Sequence, residues 1–251
     1  IVLGIALSTP TLAAGYQPLK VEPSRLVFEG RPGEQITGSI VVRNRGGEAT
    51  TPKAVLSDWT LSEANQLLVL DAGSLDSSLE GWIKFNPRQF TVQPEGAQTV
   101  RFTIKIPQDA SPGERRGMIA FEQTIPYAEG GTGATARIQV TTTIYVAVLP
   151  VERQVDIVGL GIQADEATGA SMLVVQIQGT GTAHYRATAS FYIHRESDDS
   201  LLASGMLEPI VVMPGVTIRF GGGFEGILGS GQYRLALEIV SEEPGVSPVH
   251  R

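Results

Sequence analysis

The residues able to do chemistry are few. The chain has no cysteine and three histidines, His184, His194 and His250. Without cysteine there is no disulfide, no zinc–thiolate site and no thiol nucleophile. No histidine stands at metal-ligand spacing from another, and none is set with an acid as in a zincin or a triad. A structural or solvent-facing role is expected for them. Glu196, Asp198 and Asp199 cluster, but a calcium loop alternates its oxygen ligands and includes a glycine, so they read as a solvated hairpin tip. Gly130-Gly131-Thr132-Gly133 and Gly221-Gly222-Gly223 lack the following helix and the Lys-Ser/Thr pair of a phosphate loop and read as turns. No nucleophile elbow is present. The expectation is a non-enzymatic protein with no catalytic residue, no metal and no cofactor.

The elements that would position a binding site are strands. Hydrophobic residues make up 42% and charged residues 18% of the 251, enough apolar content for a core. The net charge is −7. Residues 1–150 carry 13 Lys+Arg and 14 Asp+Glu, whereas residues 151–251 carry 6 and 12, and no basic patch invites nucleic acid. Alternation dominates over helical periodicity, with Gly, Pro and Asn as punctuation. Ile36, Gly38, Ile40 and Val42 share one face, as do Val100, Phe102, Ile104 and Ile106. Strands are expected at 25–28, 35–44, 53–59, 82–85, 90–92, 98–106, 117–125 and 137–149, with one short strand at 67–70 in an otherwise polar connection. A second set is expected at 155–162, 172–178, 187–194, 201–206, 210–213, 216–220 and 232–240. So many short strands with turns between them predict an all-β chain of two immunoglobulin-like β-sandwich domains in tandem, 19–150 and 151–241, then a loose tail, 242–251. No flexible linker divides them, so a fixed angle is expected. Residues 1–14, an apolar run followed by Pro10 and small residues, read as the end of a secretory signal, the alternative being a first strand. No stretch is long enough for a transmembrane helix. The expected localisation is periplasmic or secreted.

Several segments, in order, resemble the N-terminal domain of the periplasmic pilus-assembly chaperones, the PapD-like family. They are Ser24-Arg25-Leu26-Val27-Phe28, Ser39 to Asn44, Trp59, Asn86-Pro87, Pro94-Glu95-Gly96, Val100-Arg101-Phe102, Glu114 to Phe121, Ile125-Pro126 and the long strand Ile138 to Pro150. The resemblance covers about residues 20–150; the second half looks like a generic immunoglobulin- or fibronectin-like module. It implies that the last strand is lent to an incomplete pilin sandwich, pairing with its main chain and filling its groove. Ile138, Val140, Thr142, Ile144, Val146 and Val148 share one face of that strand and are either partner-binding or directed into their own core. The family also holds a subunit's terminal carboxylate between two basic groups. Arg25 matches one, and a guanidinium suits a carboxylate by donating two parallel hydrogen bonds; the other reading of Arg25 is a surface ion pair. The second, a lysine, is replaced by Thr143 or Tyr145. The expected partner is a protein, a pilin-like subunit or another extended peptide, with no nucleic acid and no small-molecule substrate. The alternative is a structural or adhesive cell-surface module without chaperone activity.

Overall fold

The computed structural model describes residues 19–126, 135–164, 170–224, 228, 231–243 and 246–251. The expected leader, 1–14, and the glycine stretch 130–133 lie outside the described residues. The first nine strands are β1 (Leu19–Glu22), β2 (Arg25–Gly30), β3 (Gln35–Asn44), β4 (Lys53–Leu61), β5 (Leu67–Asp71), β6 (Ile83–Asn86), β7 (Ala97–Lys105), β8 (Gly113–Pro126) and β9 (Thr135–Val148). They form a four-stranded sheet, β1-β3-β7-β6, and a five-stranded sheet, β2-β9-β8-β4-β5. The chain crosses between the sheets at Pro23, so β1 belongs to one and β2 to the other. Alternating apolar residues of both sheets meet in one core. Ile40, Val42, Val100, Phe102 and Ile104 come from the first sheet, and Ile119, Phe121, Ile144 and Val146 from the second.

Two positions show why particular residue types are needed. Gly38 lies beneath Phe102, and a Cβ there would stand 2.3 Å from the ring's Cζ. The buried Asn44 closes the turn after β3. Its Nδ2 donates to Glu48 O at 2.7 Å and to Val92 O at 3.0 Å, and its Oδ1 accepts from Gly46 N at 2.8 Å. Residues 90–92 make only a bridge, Val92 to Thr50, and no strand of their own.

The second sandwich comprises β10 (Val155–Ala164), β11 (Ser171–Gly179), β12 (Tyr185–Arg195), β13 (Leu201–Val212), β14 (Thr217–Gly223), β15 (Tyr233–Ser241) and β16 (Val249–His250). Its sheets are β10-β11-β14 and β13-β12-β15-β16. Three expectations are corrected here. Residues 201–206 and 210–213 are not two strands, because β13 runs through with its register shifting between Ala187 and Ala189 of β12. Gly221 to Gly223 are no turn. They pair with Leu173 and its neighbours in β11, and a Cβ on Gly221 would stand 1.9 Å from Leu173 O, so glycine is what permits this close strand approach. The expected loose tail ends in β16, where Arg251 and Leu237 exchange main-chain hydrogen bonds of 3.0 and 2.8 Å.

Candidate functional site

The site is built on β9, whose two halves have different neighbours. β8 pairs with it along its whole length. On the other side β2 runs parallel to residues Thr143 to Val148 only. Thr143 N donates to Ser24 O at 3.0 Å, Leu149 N to Gly30 O at 2.9 Å, and the Thr142 hydroxyl to Pro23 O at 2.8 Å. Among the described residues no strand pairs with the outer side of residues 137–142. Since Thr143 N points outward, alternation along a strand directs the N–H groups of Gln139 and Thr141 outward too.

The side chains expected to meet a partner divide in the same way. Ile144 and Val146 are fully buried in the first core, and their edge is taken by β2. They are therefore core residues, a correction whose cause is β2 lying where a partner strand would have to lie. Thr142 is also buried, its hydroxyl bound to Pro23 O. Ile138 and Val140 are half-buried and lie on the uncovered stretch. On the opposite face Glu122 accepts a hydrogen bond from Gln139 and ion-pairs with Arg137.

Arg25 is exposed at the start of β2, in register with Thr143. No carboxylate pairs with it among the described residues, so the surface ion pair considered from sequence is not formed there. Two residues along β9, Tyr145 turns away from the first core toward the second sandwich. It stands edge-on to Trp59, with ring centroids 5.5 Å apart, and packs on His184 at 4.2 Å. Burial raises the Tyr145 phenol above its usual pKa, and the charges of Arg186 and Arg25 oppose that shift. Arg186, on β12, is thus a second guanidinium beside this hydroxyl. Its own carboxylate neighbour, Glu242, lies 3.8 Å from its Nε.

The same region joins the two sandwiches. His184 Nδ1 and Glu114 Oε2 are 2.5 Å apart, with both side chains 1% exposed. Glu114 N donates to Thr182 O at 2.9 Å, and Arg219 N to Glu63 O at 2.8 Å. Trp59, Met118, Tyr145 and Met213 form a small apolar cluster across the junction. Burial lowers the pKa of the Arg116 guanidinium from its usual value, with Glu114 the largest opposing charge. Sequence reasoning missed Glu114, His184 and Arg186, because nothing in their local spacing announces a partner in the other half of the chain. The acids at 196–199 lie at an exposed tip, where Asp198 meets Arg195 and Ser200, and Asp199 meets Arg234. Hydrogen bonds from Ser200 hold the Asp198 pKa below the usual carboxylate value.

Solved structures with this arrangement decide the architecture. The class 5 fimbriae chaperone CfaA aligns over 93% of this chain and 97% of its own, at 13% identity and a TM-score of 0.51. A chain of the chaperone–tip adhesin complex of CFA/I fimbriae biogenesis aligns over the same shares, at 12% and 0.51. The CsuC–CsuE pre-assembly complex of the archaic chaperone–usher Csu pili of Acinetobacter baumannii aligns over 93% and 96%, at 9% and 0.51. The chain has the two-domain PapD-like chaperone fold. The likeness extends past residue 150, so the second sandwich takes part in this PapD-like fold although its sequence shows no family pattern. No family model and no curated protein matches the chain. No helix among the described residues is long and apolar enough to cross a membrane.

Proposed function

We propose that this PapD-like chain is a periplasmic assembly chaperone that binds a pilin-like subunit by β-strand addition at residues 137–142 of β9. The observation carrying this reading is the half-covered strand. β2 holds residues 143–148 in place, and among the described residues no strand takes up the outward main-chain groups of the adjoining stretch. A subunit strand docking there would pair with Gln139 and Thr141 and meet Ile138 and Val140 at the mouth of the core. Arg25 would receive the subunit's terminal carboxylate, aided by Arg186 beside Tyr145 in place of the missing lysine. The two guanidiniums suit such an anion by bidentate donation. The function is binding rather than catalysis.

The test uses a main-chain lesion. Gln139→Pro removes one outward donor while leaving the N–H groups that pair with β8 untouched, a position where an edge strand tolerates proline. Complex formation with a pilin-like subunit from the same genome should fall at least about tenfold, the equivalent of roughly 1.4 kcal/mol, with thermal stability retained. Arg25→Ala should weaken binding to that subunit but not to one whose C-terminus is amidated. Full binding by Gln139→Pro, or no complex with any such subunit and a mature protein fixed to the cell surface, would replace this reading with that of a structural surface module.

A further inference from the structure

Among the described residues the five-stranded sheet has a second edge with no strand beyond it, at the end opposite β2 and β9. Its edge strand is β5, and the four apolar residues Leu67, Leu68, Val69 and Leu70 are 52%, 45%, 48% and 37% exposed. Natural edge strands are normally blunted by lysine, proline, a bulge or an inward charge. β5 is short and ends in Asp71, but the run Leu67 to Leu70 has no lysine, proline, bulge or inward charge. Residues 64–70, Ala-Asn-Gln-Leu-Leu-Val-Leu, carry no charge and no proline, and β4 and β5 pair without a register shift. Four adjacent exposed apolar residues on an unpaired edge are an interaction surface rather than scattered surface hydrophobes.

The main-chain phase says what fits. Ser62 N donates to Gln66 O at 2.9 Å, which makes Ser62 and Gln66 a hydrogen-bonded pair. By alternation Leu68 and Leu70 also face β4, and the free N–H and C=O groups belong to Leu67 and Val69. Asp71 O is already the acceptor for Ser74 N, at 3.2 Å. An incoming antiparallel strand therefore needs two hydrogen-bonding residues flanking one non-bonding residue. β5 itself supplies that pattern. With two copies related by a two-fold axis at Leu68, Leu67 of each copy faces Val69 of the other, and both free residues are satisfied twice. Leu68 faces Leu68, and Leu70 faces Gln66. Asp71, the nearest charge, falls opposite the neutral Asn65, so the register sets no like charges against each other.

We propose that β5 is a self-association edge whose occupant is β5 of a second copy of this chain. The pairing joins two five-stranded sheets into one of ten strands and leaves both β9 edges free at its far ends. So short an edge makes a weak, reversible dimer of the transient class. The inference does not depend on chaperone activity, because it uses neither β9 nor Arg25.

The experiment is sedimentation equilibrium of the full chain from low micromolar to millimolar concentration. The weight-average mass should rise from 26.7 kDa toward twice that value, and Leu68→Lys should hold it at the monomer value with unchanged circular dichroism. Because the chain has no cysteine, Leu68→Cys carries a single thiol. In a non-hydrogen-bonded antiparallel pair the two Cα atoms approach to about 4.5 Å, within disulfide reach. Mild oxidation should link Leu68→Cys dimers far faster than those of Val158→Cys, a control at a residue 50% exposed on the second sandwich. A concentration-independent mass, a dimer that survives Leu68→Lys, or equal cross-linking of the two cysteine variants would overturn the proposal.

Discussion

The junction between the sandwiches offers the sharpest energetic test, through His184→Ala. Glu114 and His184 are both 1% exposed, with 2.5 Å between Oε2 and Nδ1. The other oxygen, Oε1, is buried with no hydrogen-bond partner, so the imidazole is the carboxylate's main hydrogen-bonding partner, with the Arg116 guanidinium as the opposing charge nearby. The carboxylate's remaining bond, from His184 N at 3.4 Å, is long. Removing the imidazole strips the buried acid of its hydrogen-bonding partner and leaves only the charge of Arg116 facing it; a fully uncompensated acid would cost about 3–5 kcal/mol, and Arg116 lowers that. The substitution also deletes the ring packed 4.2 Å from Tyr145, a contact worth ~0.5–1.5 kcal/mol. Water entry at the junction relieves part of this, so the expected loss is about 3 kcal/mol. With a urea slope of roughly 2 kcal/mol per molar, the midpoint falls by about 1.5 M. Because the pair spans both sandwiches, the variant should also split a single unfolding transition into two. Glu114→Gln keeps an acceptor for the ring and should lose less than half as much. The double variant Glu114→Leu/His184→Leu, which removes both polar partners, should return toward wild-type stability. A shift below about 1 kcal/mol for His184→Ala, or a double variant worse than either single one, would refute the assignment of the pair as a junction-holding contact.

Tyr145 and Tyr185 both have raised phenol pKa values, each chiefly from burial. The folded state therefore keeps these protons longer than the unfolded chain. Their contribution to stability is intact below about pH 10 and declines as pH rises toward the folded values. Absorbance titration of the six tyrosines should show late steps, and Tyr145→Phe and Tyr185→Phe should each remove one. Gly38→Ala forces a methyl to 2.3 Å from Phe102 and should destabilise by about 1–3 kcal/mol, measured by urea unfolding; unchanged stability would mean that the ring has room to retreat. Asn44→Ala removes the side-chain bonds to Glu48 O, Val92 O and Gly46 N at once, although Val92 O keeps its bond from Thr50 N at 3.0 Å. It should cost about 2–3 kcal/mol and speed amide exchange in the turn after β3.

Strands with one long buried face were legible, whereas the four-residue β1 (Leu19–Glu22) was not. In β7, Val100, Phe102 and Ile104 point in while Arg101 and Lys105 point out, because period-two alternation is the direct imprint of a half-buried sheet. The same cue led to the long last strand of the first sandwich. It could not say which half of that strand is covered, since Ile138 and Ile144 look alike in sequence. What separates them is β2, which reaches Thr143 but not Thr142 because the chain crosses from the first sheet at Pro23. Gly221 to Gly223 misled because glycine marks turns by its torsional freedom; here the missing Cβ matters instead, by letting β14 approach Leu173. His184, Glu114 and Arg186 were opaque for a different reason. Their partners are 39 to 70 residues away in sequence or in the other sandwich, and no local pattern encodes a contact of that range.

β9 joins these features physically. From Thr143 to Val148 it is a fully integrated strand, with β8 on one side, β2 on the other and Ile144 and Val146 in the core. Its Tyr145 faces outward against Trp59 and His184 at the junction. The free stretch from 137 to 142 continues the same strand without interruption, so its extended backbone is fixed before any partner arrives. A preorganised edge spares a docking strand the entropy of ordering its template. Loosening the junction should therefore weaken partner binding even though Glu114 and His184 lie outside the offered edge. The loss should track the entropy of binding, with contacts at Gln139 and Thr141 retained. Calorimetry of His184→Ala with a bound subunit separates the two cases. With a C-terminally amidated subunit, which removes the contact proposed for Arg25 and Arg186, an affinity loss carried by enthalpy alone would mean that the Glu114–His184 pair touches the partner directly, and the positioning role argued for it would fail.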